Sequence, residues 1–387
     1  MPDVVVSSGA HDASRLPAPV RSARELIPLL REHAAEADRT GRLSETVITA
    51  MRKAGLLSLR VPAVNGGPEA DLRIAFEVHR NLAHGCGSAA WVAMILSGSS
   101  LIASQLGEEA RQELWGTDPL AGVCSCLPLT GTAVESPQGV TVTGRWFPAS
   151  GVHQSRWAVV AASRAGDSPV LAVVPVEAGV VEPTWATTGL RATRSDTLVL
   201  DDVFVPRRRV LPMQSLITGV RDPAHPARTA PSFLPAALVG VAAPLLGMAE
   251  FAVEQSREWL RGRAGEGNQR ATSSAVLNAL ADASSRVDRA HRILDSLLTD
   301  VERSHEAQQP ADALFRGRVR MLVALAAADL RDAVRGTLTV FGGYGMATSN
   351  PVERVWRDVE TACTHVMVSM DRALDEYGPL LIQPRTP

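Results

Sequence analysis

Phe341-Gly342-Gly343-Tyr344-Gly345, followed by Asn350-Pro351-Val352-Glu353-Arg354-Val355-Trp356-Arg357-Asp358 and then His365, is the stretch on which the fold turns. It joins two alanine- and leucine-rich runs, 310 to 338 and 351 to 378, whose length and composition predict helices. The glycines at 342, 343 and 345 let a backbone approach a ligand closely, as a cofactor phosphate or adenosine requires. A plain loop between helices accounts for them equally well. Two further runs, 233 to 260 and 270 to 303, precede the stretch, and four helices of this length predict a bundle.

Upstream the character changes twice. Residues 117 to 225 break into short β-rich runs: Ala121 to Cys126, Val140 to Phe147, Ala158 to Ala162, Val170 to Pro175, Leu198 to Leu200 and Val203 to Val205. Gly, Pro, Ser and Asp separate them, which predicts a small antiparallel sheet domain. Arg221-Asp222-Pro223-Ala224-His225-Pro226 reads as the linker that follows, because its prolines disfavour helix. Before the sheet, helical spacing of Leu26, Leu29, Leu30, His33, Ala34 and Ala37 predicts a first helix. Ser44 with Val47, Ile48 and Met51 predicts a second, ending near Gly55, and Ile74 to Arg80 and Ser88 to Leu106 predict two more. Residues 1–18 read as a flexible leader, 19–116 as a helical domain, 117–225 as the β domain and 226–387 as the bundle. The fold class is α+β, mostly α.

Composition narrows the function. The 387 residues are 45% hydrophobic and 21% charged, ordinary for a globular chain, and the net charge is −2, which favours neither nucleic acid nor an anionic membrane. Cys86, Cys124, Cys126 and Cys363 lack zinc spacing, and the nine histidines form no ligand motif, so no metal is expected. No apolar run is read as reaching the roughly 20 residues of a membrane helix, and the expected location is cytoplasmic.

Helices, then a small β domain, then a bundle is also the order of the acyl-CoA dehydrogenase superfamily. The chain resembles that superfamily, and in particular its two-component flavin-dependent monooxygenases related to 4-hydroxyphenylacetate hydroxylase, dibenzothiophene monooxygenase and the amino-sugar N-oxygenases. Four segments carry the resemblance: Gly144-Arg145-Trp146-Phe147-Pro148-Ala149-Ser150-Gly151, Gly189-Leu190-Arg191-Ala192-Thr193, Asp201-Asp202-Val203-Phe204-Val205-Pro206, and Arg354 to Asp358 with His365.

The resemblance implies a flavin slot. Trp146, Pro148 and Ser150 share one face of a strand, and Ser150 would contact the flavin near its reactive nitrogen. Cys126, and less directly Cys124, hold the strand positions where relatives line the flavin with a hydroxyl, and simple packing of two buried thiols is the other reading. Thr193 matches a further position close to the ring, or is a surface-loop hydroxyl. Phe341, Gly342 and Gly343 would reach the cofactor of a neighbouring subunit, which implies a homotetramer. His365 aligns with a histidine placed over the flavin, where an imidazole titrating near neutrality can donate or accept a proton.

Two departures shape the expected chemistry. The carboxylate base of a dehydrogenase falls at Val366, or in the alternative arrangement near Ala237, and both are apolar. Glu250 or Glu254 could substitute, although a solvated helix face is the expected place for them. Ser99 stands where many of the monooxygenases have a second histidine. The resemblance therefore implies an oxygenase component that takes reduced flavin, FADH2 or FMNH2, from a separate reductase. With O2 it would form a flavin hydroperoxide and hydroxylate a small aromatic, heteroaromatic or amine metabolite, in natural product biosynthesis. An acyl-CoA dehydrogenase and a non-catalytic binding member of the fold are the alternatives.

Overall fold

The computed structural model describes residues 16–219, 233–307 and 311–383, so the linker at Arg221 to Pro226 and the leader up to residue 15 lie outside the described residues. Five helices open the described residues: α1 Ala18–Thr40, α2 Glu45–Lys53, α3 Leu72–Ala83, α4 Gly87–Ala103 and α5 Glu108–Trp115. Ser44 and Asp71 start α2 and α3 by accepting the Val47 and Ile74 N–H groups at 3.3 and 2.7 Å, which satisfies donors a helix leaves open. Apolar on almost every side, α4 is buried along nearly its whole length and forms the centre of this part.

Seven strands follow: β1 Val123–Ser136, β2 Gly139–Trp146, β3 Trp157–Arg164, β4 Asp167–Pro175, β5 Val180–Glu182, β6 Thr197–Pro206 and β7 Val210–Pro212. They form one sheet in the order β5-β6-β2-β1-β3-β4-β7. It is antiparallel as expected except at one pair, β1 and β3, which run parallel. After pairing with one edge of β1, β2 hands the chain across to the other edge, and this crossover carries Phe147, Pro148 and Ser150. The two runs expected at 198–200 and 203–205 belong to the single strand β6, in which Asp202 takes a left-handed φ of 53°.

Side chains alternate across the sheet. Val123, Trp157, Val159 and Ala161 join the large core shared with the helices. Cys124, Cys126, Ala158, Val160 and Ala162 face the other way and close a second core with Val140, Val142 and Trp146.

The short α6, Ser215–Thr218, ends the β domain, and six helices complete the described residues: α7 Phe233–Gly240, α8 Ala242–Gly265, α9 Ser274–Glu306, α10 Ala313–Phe341, α11 Pro351–Ala362 and α12 Met370–Leu380. The helix expected over 351 to 378 is thus two helices, and His365 sits in the break between them rather than on a helix. The break is held by side chains: His365 Nδ1 accepts the Met367 N–H at 3.3 Å and Ser369 accepts the Arg372 N–H at 3.4 Å, bonds that compete with continued helix. One stretch, Phe233–Gly265, is long and apolar enough to cross a membrane by length and composition, contrary to the expectation that none is. Its apolar window is 83% buried inside the protein, which accounts for the composition as that of a core helix.

Candidate active site

A cavity of about 700 Å³ opens where the helices, the β domain and the bundle meet, a size within the ~300–1,000 Å³ of ordinary small-molecule sites. Helical spacing builds two of its walls. Leu72, Ala75, Phe76 and His79 project from one face of α3, and Phe233, Ala236, Ala237 and Gly240 repeat the same interval on α7. Trp91, Met94 and Ser99 enter from α4, and the α11–α12 break contributes Thr364, His365, Val366 and Met367.

The β domain forms the remaining wall, and here a chain of hydroxyls is fully bonded. Ser150 and Ser195 share a 2.7 Å hydrogen bond, Ser195 and Thr193 share one of 2.8 Å, and Thr193 donates to the Leu190 carbonyl at 2.8 Å. Ser150 and Leu190 line the cavity, whereas Thr193 is wholly buried behind them. The bundle anchors this chain: the Leu190 N–H donates to Asp358 on α11 at 2.5 Å. Gly189 is obligatory beside it, because a Cβ there would lie 1.9 Å from the Arg357 carbonyl oxygen. Arg357 also pairs with Asp38 of α1 at 2.8 and 3.0 Å and donates to the Thr188 carbonyl at 2.7 Å. The Arg357-Asp358 pair thus clamps the 188–190 loop against two helices. Burial pushes the Asp358 carboxyl up to about 6, against the Leu190 N–H bond and the Arg354 charge, which pull it down.

Asp196 holds the mouth of the cavity. Its Oδ1 accepts the Thr184 and Trp185 N–H groups, both at 2.9 Å, its Oδ2 meets His153 Nε2 at 2.7 Å, and its carbonyl accepts the Ala149 N–H. Burial would raise this carboxyl, but the Trp185 N–H and His153 outweigh it and hold the group below its ordinary value. Trp185 is thereby set 5.9 Å from Phe147, ring centre to ring centre, at the rim.

His365 meets the edge of Trp91 with ring centres 5.6 Å apart. Burial lowers its pKa to about 4, so the ring is neutral at pH 7 rather than titrating there as expected. With Nδ1 accepting from Met367, the proton of the neutral ring is assigned to Nε2. The free face of this histidine is therefore a donor.

Ser150 and His365 thus share one cavity, Cys126 borders it with its thiol in the second core 3.3 Å from the Pro148 carbonyl, and other expected residues lie elsewhere. Trp146, the last residue of β2, points into the second core and donates to the Ala161 carbonyl at 2.8 Å, whereas Phe147 and Pro148, beyond the strand end, line the cavity. Cys124 is buried in that same core, while Ser125 between the two cysteines faces α4 and shares a 2.8 Å hydrogen bond with Ser99. Both thiols are pushed up to about 12 by burial and stay protonated. Phe341 packs against Trp259 and Tyr344, and Gly342, with φ of 61°, lies beside the Arg270 guanidinium; neither they nor Gly343 line this chain's own cavity.

Val366 and Ala237, at or near which the resemblance puts the two alternative dehydrogenase bases, both line the cavity. Glu250 does not occupy a solvated helix face. It is held in a half-buried pair with Arg80, 2.7 Å at both oxygens, and with His84 at 3.1 Å, away from the cavity. Among the described lining residues there is no carboxylate at all. Reading the sequence alone missed Arg60, His79, Ser125 and Asp196, and gave Asp358, although inside a quoted segment, no role. Strand alternation at Cys124-Ser125-Cys126 is a signal that points to Ser125, whereas the others depend on contacts between distant elements.

The donor set fits a flavin: apolar and aromatic walls, the Ser150 hydroxyl on the β-domain side and a neutral imidazole donor. Comparison with known proteins agrees. Residues 22–122 match the acyl-CoA dehydrogenase N-terminal domain and residues 239–370 match the acyl-CoA dehydrogenase C-terminal domain, together more than half of the chain. The oxygenase subunit HsaA of a flavin-dependent monooxygenase from Rhodococcus jostii is 28% identical, over 91% of this chain and 95% of its own length. The oxygenase component of an FADH2-dependent resorcinol hydroxylase from a Rhizobium species is 29% identical, over 89% of this chain and 88% of its own length. The structure of XiaF from a Streptomyces species, in complex with FADH2 and glycerol, superposes with a TM-score of 0.86 at 28% identity, covering 95% of this chain and 96% of that one. The chain belongs to the acyl-CoA dehydrogenase superfamily, in its branch of flavin-dependent monooxygenase oxygenase components.

Proposed function

We propose that this protein is the oxygenase component of a two-component monooxygenase, taking FADH2 from a separate reductase and hydroxylating a small aromatic compound. Bound reduced flavin supplies the electrons that activate dioxygen, one oxygen atom going to the substrate and the other to water. The residues do the rest. Ser150, held by Ser195 and Thr193, would bond the polar edge of the ring, and Phe147 and Trp185 would cover it at the mouth. His365 Nε2–H would donate to the reacting oxygen without carrying a charge. Apolar walls keep water out.

The observation that carries this reading is the absence of any carboxylate among the described lining residues, with Val366 and Ala237 at or near the two dehydrogenase base positions. Removing a proton beside a thioester carbonyl needs such a base. The loop Phe341 to Gly343 lies away from its own cavity, which supports a homotetramer in which it completes a neighbour's cofactor site. The test uses the full-length protein with FADH2 and 18O2 against a panel of phenols and indoles. Incorporation of one labelled oxygen atom into product is expected. Anaerobic dehydrogenation of an acyl thioester, with no labelled product, would overturn the reading.

A further inference from the structure

We propose that the substrate is an aromatic carboxylic acid whose carboxylate sits on the helical wall of the cavity between Arg60 and His79. This deepens the monooxygenase reading above and rests on it.

Arg60 lies between α2 and the turn Ala63–Asn65, in a segment pinned by its backbone. The Leu59 carbonyl accepts the Ala70 N–H at 2.8 Å and the Val61 carbonyl accepts the Glu69 N–H at 3.0 Å. Leu59 and Val61 are fully buried in the core, and Arg60 between them lines the cavity. Among the described residues it makes no ion pair and no side-chain hydrogen bond. Asp71 and Glu69 act on it through space without forming an ion pair, and each accepts a backbone N–H, from Ile74 and Ala63 respectively.

His79 is a second, independent observation. It is 3% exposed, it lines the same cavity, and neither Nδ1 nor Nε2 has a hydrogen-bond partner. The Ala93 carbonyl faces the ring without reaching hydrogen-bond geometry. A buried polar group left in this state carries its full desolvation cost, which a ligand with the complementary atom removes. Burial and the Arg60 charge hold this histidine down to about 3, so the ring is neutral and offers one N–H and one lone pair.

Charge selects the ligand. Arg60 and Arg372 both line the cavity, no carboxylate among the described residues does, and a guanidinium fork matches a carboxylate with two parallel bonds. The His79 N–H can serve a remaining lone pair of the same group. Phe76, Trp91 and Phe233 supply apolar faces for an aromatic ring. The β-domain wall, whose hydroxyls are already bonded to one another, is left to the flavin.

The test is calorimetric titration of the full-length protein with matched acids and amides: 4-hydroxyphenylacetate against its amide, and indole-3-acetate against its amide. At least one acid is expected to bind about tenfold or more tightly than its amide, ~1.4 kcal/mol. Arg60→Met should erase that preference, and Arg60→Lys should restore part of it. Equal binding of acid and amide, or no binding of either acid, overturns the proposal, as does a folded Arg60→Met variant that keeps the preference. Recognition of a phenol oxygen alone would show as equal binding within the first pair. Failure of the monooxygenase reading is separate: it appears as absence of 18O in product whatever the titrations show.

Discussion

The β-domain wall of the cavity and its helical wall face the same space in opposite states of hydrogen bonding. On the first, Ser150, Ser195, Thr193, the Leu190 backbone and Asp358 are linked in one bonded series. On the second, His79 has two ring nitrogens without partners and Arg60 has no counter-ion among the described residues. A satisfied network fixes shape, so it suits a surface that must hold a cofactor in one orientation. An unsatisfied buried group is tolerated where an incoming molecule completes it.

The contrast breaks most sharply at the donor that stands between the two walls. His365→Ala is expected to lower hydroxylated product on the order of 10²-fold while hydrogen peroxide release per flavin rises, as measured by product yield against peroxide. Retained coupling would remove His365 from the chemistry. Ser150→Ala takes one member out of the bonded series and is expected to cost about tenfold in coupled product, the value of a single hydrogen bond. If coupling is unchanged, the β-domain wall does not hold the ring through this serine.

The anchor beneath the series gives a smaller effect with a sign that pH reveals. The Asp358 carboxyl is raised to about 6 in the fold, so it contributes stability while protonated and loses it as pH rises through about 6. Asp358→Asn keeps an oxygen for the Leu190 N–H and removes the titration. Its stability relative to the parent should be more favourable at pH 8 than at pH 5, by about 1 kcal/mol, as read from urea unfolding at both pH values. Equal differences at the two pH values would mean the carboxyl is not perturbed.

The order of the three parts was legible because each rests on local pattern: helical spacing before residue 116, alternation with turn residues after it, and long alanine-leucine runs in the bundle. Part of what escaped is set at longer range, and part by local side-chain bonds. The parallel pairing of β1 with β3 depends on where the crossover lands, and α5 was not expected at all. The α11–α12 break comes from His365 and Ser369 bonding to nearby N–H groups, a competition that composition does not display. The same holds for the site. Ser150 and His365 sit in segments whose resemblance to relatives could be seen, whereas Arg60 and His79 come from separate elements and meet only in the folded chain. Of Trp146, Pro148 and Ser150, expected on one strand face, the last two line the cavity and Trp146 does not, because the strand ends at Trp146 and its alternation does not extend past it.

The ionisable lining has a consequence for how the enzyme responds to acidity. His79 and His365 titrate near 3 and 4 and Cys126 near 12, so between those limits these three groups keep their protonation. Asp358, one layer behind Leu190, changes state within that range. An inflection of a pH–rate profile inside those limits therefore comes from outside these three side chains, and substrates with and without an ionisable group separate the molecule in the chamber from the walls around it.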